Sequence, residues 1–240
     1  LIEALKDILN DVNIGINKNG LEILSVDKNR CAIANLKLVG DEFITYFCKY
    51  DFMIGVNLKA FFLLLKTIGT NDVITMYMFN NDLDRLHIQI ENKEKNMKDV
   101  SKLKLIDVDE PVYKIPEISY DKVIRIQSNI FQKTCKDLYN IDESGKIESS
   151  GKSCRMSGCG DSGEKEIIML ENQGITFCEK GGDDVSEKYP LKYLLSFIKS
   201  SNLCDTLEIF TKQNHPLILV YKVGSIGSLK FVLSPYVQSE

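Results

Sequence analysis

The chain has 240 residues, 44% of them hydrophobic and 27% charged, with five prolines and 15 glycines, which excludes a disordered or collagen-like chain. Thirty Lys and Arg against 34 Asp and Glu give a net charge of −4, so any cationic surface must come from sorting charge onto one face. Seven cysteines, odd in number and without a C-x-x-C pair, read as reduced thiols in an intracellular compartment, and with the two histidines they do not make a metal site. No apolar stretch reaches the length of a membrane span, and Leu1-Ile2-Glu3-Ala4-Leu5-Lys6 is not a signal segment.

Apolar spacing predicts helices over residues 1–13, 58–68, 128–140 and 190–200, the last opened by Pro190 at the favoured first position. Runs of β-branched and aromatic residues predict strands at 21–26, 31–38, 43–48, 73–79, 86–90, 103–108, 122–126, 167–170, 175–177, 207–210, 217–222 and 229–233. Residues 143–163, rich in Gly and Ser, are expected to form a mobile loop. Many short strands with few helices indicate an antiparallel α+β protein.

Residues 58–90 overlie residues 191–223 without a gap, at an offset of 133: Leu58 falls on Leu191, Lys66 on Lys199, Asp72 on Asp205, Ile74 on Leu207, Leu86 on Leu219 and Ile90 on Val223. A helix, a loop and a hairpin therefore recur in order, which argues for two similar domains. A weaker echo sets Lys6-Asp7 against Lys136-Asp137. Between the halves, the acidic segment 105–117 contains Pro111 and Pro116 and reads as an extended connector between domains at 1–104 and 118–240. It also offers two apolar residues, Tyr113 and Ile115, that a tether does not need.

The lysines sort by element: Lys59 with Lys66, Lys133 with Lys136, and Lys192 with Lys199 stand in stretches without an acid. Their spacings place each pair on one helical face. Recurrence in both halves points to a shared anionic partner, held through phosphates and not through bases. The alternative is a scaffold whose lysines are only solvated. Gly158-Cys159-Gly160-Asp161-Ser162-Gly163 matches G-x-G-x-x-G, the basis of a rival reading as a nucleotide-binding enzyme. A strand follows it where that site needs a helix, and Gly151-Lys152-Ser153 fails the P-loop spacing by one. Neither His87 nor His215 is placed to activate a nucleophile.

Several blocks, taken in order, carry a family likeness: Glu3-Ala4-Leu5-Lys6-Asp7, Gly55-Val56-Asn57-Leu58, Leu105-Ile106-Asp107-Val108-Asp109, Ile115-Pro116-Glu117, Cys135-Lys136-Asp137-Leu138, and Gly227-Ser228-Leu229-Lys230 through Ser234-Pro235. Together they resemble the proliferating cell nuclear antigen family of eukaryotic DNA sliding clamps over nearly the whole chain. The resemblance implies a non-enzymatic, cofactor-free subunit of two similar domains, three of which close head to tail into a ring around double-stranded DNA in the nucleus. The four helices would line the hole and bring Lys6, Lys59, Lys66, Lys133, Lys136, Lys192 and Lys199 to the DNA backbone.

By the same resemblance, a pocket for the short peptide of DNA polymerase, clamp loader and other replication and repair partners would comprise Val26, Arg30, Ile33, Tyr113, Ile115, Pro116, Pro216, Ser234 and Pro235. Arg30 and Tyr113 depart from the family pattern there. Subunits would pair through edge strands near 98–104 and 164–170, with Val100, Leu103, Ile167 and Met169 at the contact. A subunit of a heterotrimeric checkpoint-type clamp would share the fold. The family's first strand and the start of its first helix have no match in the chain, and the second sheet is expected to be abbreviated around 143–163.

Overall fold

A computed structural model describes residues 1–111, 113, 115, 118–179, 181 and 183–236. The first half runs α1 (Ile2–Leu5), β1 (Asp11–Asn17), β2 (Gly20–Val26), β3 (Ala32–Val39), β4 (Phe52–Asn57), α2 (Leu58–Leu65), β5 (Val73–Phe79), β6 (Asp82–Asn92) and β7 (Met97–Lys104). The second half begins with β8 (Lys122–Gln127), α3 (Ser128–Tyr139), β9 (Ser144–Ser150), β10 (Ser153–Gly160), β11 (Gly163–Leu170), β12 (Ile175–Glu179) and β13 (Val185–Pro190). It ends with α4 (Leu191–Phe197), continued by a 3₁₀ segment Ile198–Leu203, then β14 (Thr206–Thr211), β15 (Leu217–Val223) and β16 (Gly227–Leu233).

All strand pairs are antiparallel, so the fold is of the α+β class that the sequence indicates. A nine-stranded sheet has the order β12-β8-β14-β15-β16-β3-β2-β1-β4, and two smaller sheets have the orders β11-β10-β9-β13 and β5-β6-β7. The two halves are sewn together where β16 lies on β3, from Gly227 opposite Leu38 to Leu233 opposite Ala32. Strand order makes the duplication visible, because β3-β2-β1-β4 repeats as β11-β10-β9-β13 and β5-β6-β7 repeats as β14-β15-β16.

The pairing registers correct the repeat in one place. Residues 11–26 fall on 144–159 and residues 52–57 on 185–190 at the expected offset of 133. In the following hairpin, however, the pair Met76–Ile88 corresponds to Ile209–Leu219, so β6 falls on β15 at 131. Leu86 thus matches Leu217 and not Leu219, because the second hairpin turn is two residues shorter.

The helices cover one face of the sheets. Asn57 caps α2 by accepting a hydrogen bond from the Ala60 N–H at 2.9 Å, and Leu58 and Phe61 then point into the core. Phe131, Cys135 and Leu138 of α3 and Leu191, Leu194 and Phe197 of α4 are buried with Leu207, Leu219 and Phe231 of the strands. Phe197 stacks on Phe231 with ring centroids 4.3 Å apart, fixing α4 over the seam between the halves.

Three expectations are overturned. The helix expected over 1–13 is only Ile2–Leu5, because Val12, Ile14 and Ile16 alternate as β1 between β2 and β4. Residues 143–163 are not a loop: β9 is paired on both sides, as is β10, and Ile147, Cys154 and Met156 are buried. Backbone ladders on two sides there outweigh the poor strand propensity of Ser and Gly. Gly160 is required by close approach, since a Cβ at that position would sit 2.0 Å from the Ile141 carbonyl oxygen.

The third is the strand expected at 43–48. By position in the repeat its counterpart is β12, which pairs with β8, and among the described residues the first half holds no counterpart of β8. Without that partner the segment is irregular, tied down by Tyr46, whose hydroxyl lies 2.6 Å from the Asn17 carbonyl and 2.8 Å from that of Gly20. Ile44 and Phe47 are left 94% and 85% exposed.

Candidate nucleic-acid interface and partner groove

α1 packs on α2 and on the 3₁₀ segment Ile198–Leu203, and that segment and α4 pack on α3, so the four helices form one continuous layer. Gln132 of α3 donates to the Ile198 carbonyl at 3.2 Å within this layer. Because their apolar sides face the sheets, their polar sides share the opposite surface, and it carries all seven lysines expected from the sequence. Lys59, Lys66, Lys133, Lys136 and Lys192 are exposed there with no ion pair among the described residues. Lys192 lies over the Tyr193 ring, 5.3 Å from its centroid.

Lys6 and Lys199 differ from the other five. Both bind Asp7, Lys6 at 2.9 Å and Lys199 more closely, and Lys6 is mostly covered where its ammonium lies 4.8 Å from the Phe62 ring centroid. Burial pushes the Asp7 carboxyl up, but the two lysines outweigh it and hold it below its ordinary value. The matching Asp137 of α3 is held low by Lys165 of β11, 2.9 Å away. The cationic surface is thus five unpaired lysines and one lysine–carboxylate–lysine group.

On the other face of the nine-stranded sheet, cross-strand partners align Val26, Ile33, Val232, Ile218, Phe210 and Val123 in one apolar row over six strands. Ile115, Ile118 and Tyr120 pack over this row. The connector leading to them is anchored by Asn13 donating to the Val108 carbonyl at 2.9 Å and by Ser25 donating to Glu110 at 2.7 Å. Between connector and sheet lies a groove of about 1110 Å³, into which Tyr113, Ile115, Tyr120, Phe210 and Ile218 look.

Of the expected pocket, Ile33 and Ile115 meet in this cluster with Val26 beside them. Arg30, Pro216, Ser234 and Pro235 gather at the same end of the sheet: the Ser234 N–H donates to the Cys31 carbonyl at 2.9 Å, and the Tyr120 hydroxyl donates to that of Pro216 at 3.0 Å. Arg30 sits in a turn with φ of 56°. Pro116 lies outside the described residues. Sequence reasoning missed Val232, Ile218, Phe210 and Tyr120. For the first three, the alternation of β14, β15 and β16 marks the outward face, which also carries Val220, but not its place under the connector, and Tyr120, which precedes β8, lies on none of these strands.

At the expected subunit contact, β7 and β11 are each the outermost strand of a small sheet. Leu103 and Met169, however, are buried in their own chain at 4% and 6% exposure, so they cannot present side chains to a neighbour. Alternation turns the other faces outward, exposing Val100 on β7 and Ile168 and Leu170 on β11, with Ile167 half-buried.

A duplicated antiparallel shell with one lysine-bearing helix layer is the architecture of a DNA sliding-clamp subunit. The family model for the N-terminal domain of proliferating cell nuclear antigen matches residues 1–112, and that for its C-terminal domain matches 114–236. "Probable DNA polymerase sliding clamp 1" of Paramecium bursaria Chlorella virus 1 is 33% identical over 240 residues, covering 98% of this chain and 91% of the viral protein. The chain belongs to the proliferating cell nuclear antigen family.

Proposed function

We propose that this DNA sliding clamp works as a closed ring of three identical subunits, with its helix layer around duplex DNA and its connector groove outside, holding replication and repair proteins. Each subunit divides into domains at 1–104 and 118–240, joined by the connector 105–117. The observation that carries the reading is the set of five exposed lysines without an ion pair, drawn from three helices of an acidic protein onto one surface. Lysines are compact charges on flexible stems, so they meet phosphates without reading bases and let the ring slide. The clamp itself does no chemistry.

The groove suits a short peptide with an aromatic or aliphatic anchor, because an apolar row lies beneath the connector. DNA polymerase and the clamp loader are the expected clients, and the nucleus is the expected compartment. The test is retention on duplex DNA with blocked ends. Lys66→Glu combined with Lys133→Glu should shorten retention and flatten its dependence on salt, with the ring intact by light scattering. Unchanged retention and salt slope would reduce these lysines to solvated surface.

A further inference from the structure

Beside the apolar row of the groove floor runs a second row, two residues away along each strand and on the same face. Cross-strand partners align Leu24, Asn35, Lys230, Val220 and Glu208 in it, and all five line the groove. Val220 packs against the apolar cluster, so the two rows are continuous. Lys230 stands at the centre of the second row, about 7 Å along β16 from Val232.

Every other described charged side chain that lines the groove already has a partner. Glu22 pairs with Lys37 at 3.1 Å and accepts a hydrogen bond from Asn35 Nδ2 at 2.8 Å. Glu208 pairs with Arg125 at 2.8 Å, and Glu110 accepts from Ser25. Lys230, although half-buried, makes no ion pair or side-chain hydrogen bond among the described residues. A partly desolvated ammonium without a counter-ion is unfavourable, and a carboxylate brought in by a ligand relieves it.

We propose that Lys230 binds an acidic side chain of the peptide in the groove, so that the groove selects an apolar anchor with an acid beside it. The inference rests on the peptide groove proposed above and adds the chemistry of a second contact. Position matters as well as charge. Glu22 and Glu208 flank Lys230 two strands away on either side, about 10 Å at the spacing of neighbouring strands. Glu110 stands on the connector, close in sequence to Asp107 and Asp109. An acid placed toward any of these meets a carboxylate, so only one placed over Lys230 gains. In an extended peptide, at about 3.3 Å per residue, that acid lies two or three residues from the anchor.

The experiment is fluorescence anisotropy with a panel of labelled peptides, each amidated at its C-terminus so that a side chain supplies the only carboxylate. Each carries two adjacent phenylalanines in an alanine–serine background, with one glutamate placed one to five residues from them on either side, and each has a counterpart with glutamine in that place. On the unaltered chain, glutamate at one or two neighbouring placements should bind about five- to tenfold tighter than glutamine. That advantage should shrink with salt, disappear in Lys230→Gln and persist in Lys230→Arg, with the glutamine peptides binding all three chains alike and circular dichroism unchanged. Glutamate no better than glutamine at every placement, or an advantage that survives Lys230→Gln, would overturn the role of Lys230 while leaving the groove. Failure of every peptide to bind the unaltered chain would overturn both.

Discussion

The two halves of the molecule share one design, and they differ where the second half holds a strand, β8, for which the described residues of the first half hold no equivalent. In the second half, β8 lies between β12 and β14 and joins them into the nine-stranded sheet. In the first half the equivalents of those neighbours are residues 43–48 and β5, and nothing described lies between them. The consequence is local and large. Residues 43–48 are irregular, Ile44, Phe47, Tyr50, Ile74 and Met76 are exposed, and β5 is an edge. A strand's propensity is thus realised only when a partner completes its ladder.

The halves differ equally at their seams, and that difference can be broken most severely. Phe231 is fully buried between Phe197 and Tyr221 and lies where the halves join. Phe231→Ala should cost about 3–5 kcal/mol in urea unfolding, because the stacked rings cannot collapse into the space. Its equivalent in β7 is Ser101, half-buried at an edge, and Ser101→Ala should stay within about 0.5 kcal/mol. Equal costs would mean that the seam inside the chain is not held by its apolar face.

Next in size is the contrast in opening. Amides of β14 sit between β8 and β15, whereas β5 has a neighbour on one side only. Hydrogen exchange should run on the order of 100-fold faster in the edge-facing amides of β5 and in residues 43–48 than in β14 and β12. Equal protection would show that another element covers that edge in solution.

The same contrast explains how far the sequence could be read. The duplication and the lysine faces of α2, α3 and α4 were legible, because helical spacing and an offset of 133 survive in the residues themselves. β9 and β10 were not: Ser144-Gly145-Lys146 and Ser157-Gly158 carry no strand signature, and only their neighbours make them strands. Residues 43–48 show the reverse, a strand signature without a neighbour. In the groove, Ile33 and Ile115 could be named through the family likeness. Phe210, Ile218 and Val232 could not, since nothing in one strand shows which of its outward positions lie under the connector. Asp7 was overlooked because its two lysines are distant from each other in sequence, at positions 6 and 199.

The smallest effect separates the two kinds of lysine. Asp7 ties the end of α1 to the 3₁₀ segment through Lys199, with Lys6 as its second cation, and its carboxyl titrates below its ordinary 3.8 in the folded chain. A depressed carboxyl contributes stability that is present above its unfolded value and disappears as pH falls through the folded one. Asp7→Asn should therefore lower stability at neutral pH by less than about 1 kcal/mol, since the group is partly open to solvent. The difference from the unaltered chain should shrink as pH falls through the lowered folded value and vanish once the carboxyl is protonated in both states. At neutral pH the same change releases Lys6 and Lys199 and should steepen the salt dependence of DNA retention, opposite in sign to Lys66→Glu. If Asp7→Asn left the salt slope unchanged, Lys6 and Lys199 would be braces between the halves, and the five unpaired lysines would carry the DNA alone.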